Sequence, residues 1–562
     1  MTQLPAARVL VDILERQNVS DVFGLIGSAG MEVFDALYDS ESIRFIGVRD
    51  ERTGTHMADG YARASGKAGV ILAGQNGPGA TNLVTGLAQA KAAYSPVVAL
   101  AGSLSSGHVY RDAFQEVDQQ ALFAPVTKKT WTVTQASRIG EMIEEAFRTA
   151  LTGRPGPVVV NLPRDILSEL VEETKPRAPV NYSGIGAGRP DQISAAAKAL
   201  VRARRPVILA GGGVKNGRSH METLALAELL GAPVVTSPGH GDALPFGSSL
   251  NAGQAGPRGN EVASSLLREA DVILALGSRL GFNTTFYSAD NVNTEATIIQ
   301  VELEASAIGR FFDAEIGIHG DARLAAMALK SAIENIRGPV SVPESDWLKS
   351  FRNARAEYLS KRDSENEHAS DPIQPGALFK AMRDVFPEDV MVTMDAGTLC
   401  LQATDRLNYH QPPALFTPLD FGLVGFSYAC GLGAKLAQPE RTVVSLMGDG
   451  GFGMAHSEIG TAVSEGINTV TVVMNNGCWG AEKAYQRDFF GERYLGADVA
   501  NPPYDKLAEL WGARGFRIDR AADMADVLAE AIAADAPAIV DVSVDPNALY
   551  SFRRDSFAHR AK

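Results

Sequence analysis

Cysteine is scarce, basic residues are outnumbered, and no long apolar run is present. Only Cys400, Cys430 and Cys478 occur among 562 residues. Three thiols cannot build a disulfide framework, so a reducing cytosol is the expected compartment. Lys and Arg total 52 against 66 Asp and Glu, a formal net charge of −14. A nucleic-acid binder needs a basic face for phosphate contacts, so that class is disfavoured, although a locally basic pocket is not. No window approaches the roughly 20 apolar residues of a membrane helix. The opening MTQLPAARVLVDILERQNV carries Asp12, Glu15 and Arg16 within its apolar stretch, unlike a signal peptide. A cytoplasmic protein without membrane or nucleic-acid partners is expected.

The apolar fraction of 45% and charged fraction of 21% are ordinary for a globular chain. Its length exceeds what one core fills, and three to four units of roughly 150 residues are expected. Three blocks emerge, residues 1–172, 190–336 and 370–562. The first pairs amphipathic helices such as Ala6–Gln17 with short apolar runs such as Gly69–Ala73 and Pro96–Leu100. Such runs read as buried parallel strands. The Pro- and Gly-rich stretch Lys175–Asp191 reads as a linker. In the second block the runs are Pro206–Ala210, Pro233–Thr236, Val272–Leu276 and Ile298–Val301. Arg337–Ser345 and a charged helix, Trp347–His368, lead to the third, with Val390–Met394, Thr442–Met447, Val470–Met474 and Ala538–Val542. Strands alternating with helices predict an α/β protein of three doubly wound parallel-sheet domains.

The sharpest chemical feature is TVVSLMGDGGFGMAHSEIG followed by VTVVMNN. It reads as strand, Gly448-Asp449-Gly450-Gly451, helix, second strand, Asn475-Asn476. One crossover helix separates Asp449 from Asn476, which puts both at neighbouring strand C-terminal ends, where open α/β sheets bind ligands. A carboxylate and an amide oxygen suit Mg²⁺, and glycines let backbone N–H groups approach a diphosphate. Gly-Asp-Gly alone also reads as a plain strand-to-helix turn; the full array is far more specific.

That array resembles the thiamine-diphosphate motif, and the chain resembles the acetolactate synthase-like superfamily of thiamine-diphosphate enzymes over essentially its whole length. The resemblance implies pyrimidine-binding, central and diphosphate-binding domains, in that order. It implies that Asp449, Asn476 and the Cys478 carbonyl ligate Mg²⁺, with Gly397, Gly450 and Gly451 beside the cofactor. In FIGVRDERTGTHMADGYARASGK, Glu51 takes the place of the glutamate that hydrogen-bonds the pyrimidine nitrogen and activates the cofactor. A buried carboxyl can share a proton with a ring nitrogen at neutral pH; a helix-start acid complementing the dipole is the plainer reading. Asp50 stands where many relatives have His. In DFGLVGFSYACGLGAKLA, Gly422 and Val424 would meet the pyrimidine. Gln75, Asn76, Phe114, Gln115 and Lys128 occupy segments that form active-site loops in relatives, although solvated loop residues read the same way. The middle block has Gly211–Gly213 but no complete dinucleotide fingerprint, leaving FAD, ADP or no ligand open.

GCWGAEKAYQRDFFGERYLGADV after Asn476 and the closing SFRRDSFAHRAK most resemble sulfoacetaldehyde acetyltransferases. These eliminate sulfite and pass an acetyl group to phosphate. Arg111, Lys128, Arg487, Arg493, Arg553 and Arg554 are candidate oxyanion partners, though surface charge explains each as well. A 2-hydroxyacyl-CoA lyase giving formyl-CoA is the nearest alternative, with Glu492 passing a proton to the leaving alkoxide. Acetolactate synthase or 2-oxo acid decarboxylase follows, then a degenerate regulatory homologue. Phosphate ranks above CoA because the second block shows no obvious basic cluster for a nucleotide, although Arg279 and Arg310 are available to contribute. Relatives assemble their sites across subunits, so a homodimer or homotetramer is expected.

Overall fold

The computed structural model describes residues 3–172, 185–257, 259–338, 345–365, 371–552 and 556–560. Three six-stranded sheets organise the chain, each wholly parallel. In the first, the spatial order is Arg44–Gly47, Asp21–Leu25, Gly69–Ala73, Val97–Ser103, Val158–Pro163, Lys129–Thr132. Every residue of Gly69–Ala73 is buried, as continuous apolar runs require when helices cover both sheet faces. An antiparallel ribbon of Gln3–Pro5 with Leu170–Glu172 fastens the start of this domain to its end.

The second sheet runs Asn251–Gln254, Val234–Thr236, Pro206–Ala210, Val272–Leu276, Thr297–Glu302, Ile316–His319. Its connections reverse direction between Pro206–Ala210 and Val272–Leu276, which opens a crevice at their C-terminal ends. The third runs Leu415–Phe416, Met391–Met394, Val443–Gly448, Val470–Asn475, Ala538–Ser543, Arg514–Ile518. Taken in chain order, the first and third sheets have identical strand permutations. Most of the linker expected at Lys175–Asp191 lies outside the described residues, but Pro190 and Asp191 open helix Pro190–Arg202, where proline suits the first turn. The charged connecting helix is Asp346–Glu365.

Helix Glu51–Ser65 of the first domain lies against helix Ser427–Ala437 of the third. Their backbones touch: a side chain at Gly60 would strike the Cys430 carbonyl, and one at Gly433 the Met57 carbonyl. Arg63 adds a buried ion pair with Asp59 at 2.7 Å and donates to the Thr417 carbonyl at 2.8 Å. This joint fixes where the N-terminus of the Glu51 helix points.

Candidate active site

Two half-sites sit on the first and third domains. In the first, Glu51 begins its helix directly after Asp50, whose side chain caps the helix by accepting from Arg52 N–H at 2.7 Å. The cap role accounts for an acid at position 50: a short carboxylate satisfies an otherwise orphaned N–H. Glu51 is 3% exposed. Its carboxylate accepts from Asn82 Nδ2 at 3.0 Å and lies against Gly79. Burial raises its pKa, the Asn82 hydrogen bond opposes the rise, and the charge of Asp50 adds to it.

Beside it, Gln75 Oε1 accepts from Ser28 N–H at 2.9 Å while Gln75 Nε2 donates to Gln115 Oε1. Asn76 is buried and donates to the Gln115 carbonyl at 3.2 Å. Gly77, at φ 58°, passes close under Gln115. Thus Glu51, Gln75, Asn76 and Gln115 come together at adjoining strand ends. Phe114 next to them is exposed. Lys128 is directed elsewhere: its ammonium donates to the Thr149 and Thr152 carbonyls at 2.6 and 2.9 Å, filling the acceptor-rich end of helix Ile139–Leu151.

In the third domain, strands Val443–Gly448 and Val470–Asn475 pair in register up to Gly448 and Met474, so Asp449 and Asn476 emerge side by side. They line a pocket of about 60 Å³ with Gly397, Val424, Gly450, Gly451 and Cys478. Asp449 is 1% exposed. Burial pushes its pKa up to about 6, against the pull of the Asn476 and Gly450 backbone N–H groups and the Asn501 amide. Gly451 must lack a side chain because Asp395 and Val424 crowd it. Asp395, fully buried and likewise pushed up to about 6, accepts from Gly425 and Phe426 N–H at 2.9 Å each. It thereby pins the turn that carries Val424. Gly422 itself belongs to a neighbouring, larger cavity.

The oxygen donors suit a hard divalent cation: one carboxylate, one amide and the main chain at Cys478. Among the described residues no cluster of three or more His, Cys, Asp or Glu side chains forms, so a softer, nitrogen- or thiolate-rich site is absent there. The Cys478 loop is held by Trp479 N–H to the Ala497 carbonyl at 2.7 Å and Val499 N–H to the Gly477 carbonyl at 2.9 Å. Residues and metal chemistry fit each other.

Glu492 lies in an exposed turn at φ 58° and lines neither the small pocket nor the larger cavity. The acid common to both walls is Glu482, ten residues closer to Asn476 in the chain, which the sequence motifs do not single out. Arg487 pairs with Asp488 at 2.7 Å, Arg111 and Arg493 are exposed, and Arg553 and Arg554 lie outside the described residues.

The larger cavity, about 830 Å³, occupies the crevice of the central sheet. It extends from Gly211-adjacent residues Gly212 and Gly213 and from Gly277 to Gly422, Glu482 and Phe552. Arg154 and Arg279 approach the Tyr94 ring at 4.6 and 5.1 Å, and all three line the cavity with the half-buried to buried acid Glu302. The sequence shows no obvious basic cluster in the second block, with Arg279 and Arg310 its available cations; Arg279 does line the cavity. The cluster exists because the first domain supplies one of its arginines.

Three family models match: "Thiamine pyrophosphate enzyme, N-terminal TPP binding domain" at residues 5–122, the central domain at 193–329, and the C-terminal TPP binding domain at 395–542. A probable acetolactate synthase large subunit of Methanococcus aeolicus is 32% identical over 97% of this chain and 93% of its own. A sulfoacetaldehyde acetyltransferase of Castellaniella defragrans is 32% identical over 99% and 96%. One of Alcaligenes xylosoxydans xylosoxydans is 33% identical over 94% and 90%. The protein is therefore a thiamine-diphosphate-dependent enzyme, a transferase or a lyase, and the chain belongs to the thiamine pyrophosphate enzyme family.

Proposed function

We propose that the enzyme moves an acyl group from a small anionic carbonyl donor, of the sulfoacetaldehyde kind, to phosphate, with acetyl phosphate as product. When bound, thiamine diphosphate supplies the nucleophilic carbon and the electron sink. Asp449, Asn476 and the Cys478 carbonyl would hold Mg²⁺, and the Gly450 and Gly451 main chain would receive the diphosphate. Val424, backed by Gly451, supports the rings. Glu51, whose carboxyl pKa is raised by burial, would share a proton with a pyrimidine nitrogen of the bound cofactor. Glu482, not Glu492, is the acid that hands protons across the mouth of the pocket.

The observation that carries phosphate as acceptor is the amide set beside Glu51. Gln75 and Gln115 carry neutral amide N–H donors beyond the one Gln75 gives to Gln115, a match for a compact oxyanion, while the Asn76 amide holds the Gln115 main chain. A 2-hydroxyacyl-CoA lyase is the second reading, favoured by the 830 Å³ cavity with Arg154 and Arg279. Its position at the crevice of the central sheet suits a nucleotide, whether the adenosine end of CoA, ADP or FAD.

The small pocket is lined by third-domain residues alone, and the hydrogen-bond partner of Glu51, Asn82, is a first-domain residue. This supports a homodimer or homotetramer in which a second copy brings Glu51 to the pyrimidine. Holoenzyme incubated separately with sulfoacetaldehyde and phosphate, a 2-hydroxyacyl-CoA, and pyruvate tests these readings by product mass. Acetyl phosphate supports the first; formyl-CoA or acetolactate alone would replace it.

A further inference from the structure

The two half-sites leave unexplained a later segment, around residues 497–504, that bonds to Asp449 and to the loop carrying Cys478. Asn501 Nδ2 donates to Asp449 Oδ2 at 2.6 Å. The Tyr504 hydroxyl lies 2.8 Å from both the Asp449 carbonyl and Asn501 Oδ1, so its single proton is shared between two acceptors. Tyr504 is 1% exposed and packs edge-on against Phe452 with ring centroids 4.9 Å apart. Its backbone N–H donates to Asp541 Oδ2 at 3.1 Å. The other oxygen of buried Asp541 accepts from Asn475 Nδ2 at 3.0 Å, the residue immediately before Asn476. Upstream, Ala497 and Val499 form the backbone bonds that hold the Gly477–Trp479 loop.

We infer that Asn501 and Tyr504 are positioning residues of the metal centre, holding the Asp449 carboxylate in the one orientation that offers its remaining oxygen to Mg²⁺. The inference rests on the proposed Asp449–Asn476–Cys478 ligand set and adds its outer shell. The physical reason is rotational. A carboxylate on a two-torsion side chain presents either oxygen, and an amide donor on one of them leaves a single oxygen for the cation. Outer-shell partners of this kind typically set metal affinity by 10- to 100-fold. A chain of hydrogen bonds links the two strand ends here: Asp449 to Asn501, to Tyr504, to Asp541, to Asn475. Both ligand-bearing strand ends are thereby fixed relative to each other before any cation arrives.

The test is Mn²⁺ binding, followed by electron paramagnetic resonance at fixed thiamine diphosphate, on wild type, Asp449→Ala, Asn501→Ala and Tyr504→Phe. Asn501→Ala is expected to raise the Mn²⁺ Kd by about 10- to 100-fold, with the metal-free unfolding temperature close to wild type. Tyr504→Phe keeps the ring against Phe452 and should give a smaller rise in the same direction; it carries the test if the alanine variant does not fold. Folded variants with Kd within twofold of wild type, alongside loss of binding in Asp449→Ala, would overturn this inference and leave the ligand set standing. Wild-type Mn²⁺ binding unaffected by Asp449→Ala would overturn both.

Discussion

The first and third domains share one strand permutation, yet their equivalent strand ends carry opposite chemistry. After the second strand in chain order, the first domain places the acid Glu51, whereas the third places the glycine turn that bears Val424. After the third strand the roles reverse: the first domain has the amides Gln75 and Asn76, and the third has Asp449. Glu51 and Asp449 are both buried helix-opening acids whose pKa values rise chiefly through desolvation. Their partners separate them. Glu51 has the Asn82 amide and the nearby charge of Asp50; Asp449 has backbone N–H groups, Asn501 and an adjoining pocket. On the proposed reading, one scaffold yields an acid or a metal ligand according to what surrounds the carboxyl.

The largest expected effect tests the metal side of that contrast. Asp449→Ala should retain the fold and lose Mg²⁺-dependent cofactor retention, as measured by thiamine diphosphate remaining after gel filtration. Exhaustive chelation of wild type should abolish activity in the same way. Glu51→Gln should do the converse: cofactor retained, but turnover and hydrogen–deuterium exchange at the thiazolium carbon reduced by about two or more orders of magnitude. Mixed and co-refolded, the two inactive variants should recover up to about a quarter of wild-type activity, since half the dimers are mixed and each has one intact site. No recovery from well-folded mixed dimers would mean that both residues act within one chain.

Acidity sharpens the comparison with a smaller signal. Because the Asp449 pKa stands near 6, protons compete with the cation below that pH. Mn²⁺ affinity should be flat above pH 7 and fall by up to about tenfold per pH unit below 6. The sign for stability is opposite. A carboxyl with a raised folded-state pKa binds more protons when folded, so the metal-free protein should lose stability as pH rises from about 4 to 6. Asp449→Asn should flatten part of that slope in thermal melts. The smallest effect is expected at the cap: Asp50→Asn should leave stability within about 0.5 kcal/mol, because Asn caps as well as Asp.

The interior of the fold was legible because its central strands are continuous apolar runs. Pro206–Ala210, Val272–Leu276 and Val470–Asn475 fall within a residue of the sequence reading. Edge strands such as Asn251–Gln254 and Arg514–Ile518 carry polar residues and gave no such signal. At the site, Glu51, Asp449 and Asn476 sit in dense local motifs. Asn501 and Tyr504 reach Asp449 only through the tertiary fold, and nothing in their local sequence marks them. Lys128 illustrates the reverse error, since a nearby helix end with free carbonyls was a better destination for its ammonium than the loop cluster. Glu482 and Glu492 both follow Asn476, and only helix Gly480–Phe489 decides which faces the pocket.

The contact of Gly60 with Cys430 and of Gly433 with Met57 has a mechanical consequence. Two helices whose main chains touch at two glycines have no side chain to compress at those points, so the angle between the first and third sheets has little slack. The joint behaves as a weld. Any adjustment around a substrate is then expected in thinner parts, such as the turns around Gln115 and Glu492, rather than in the distance between the two domain frames.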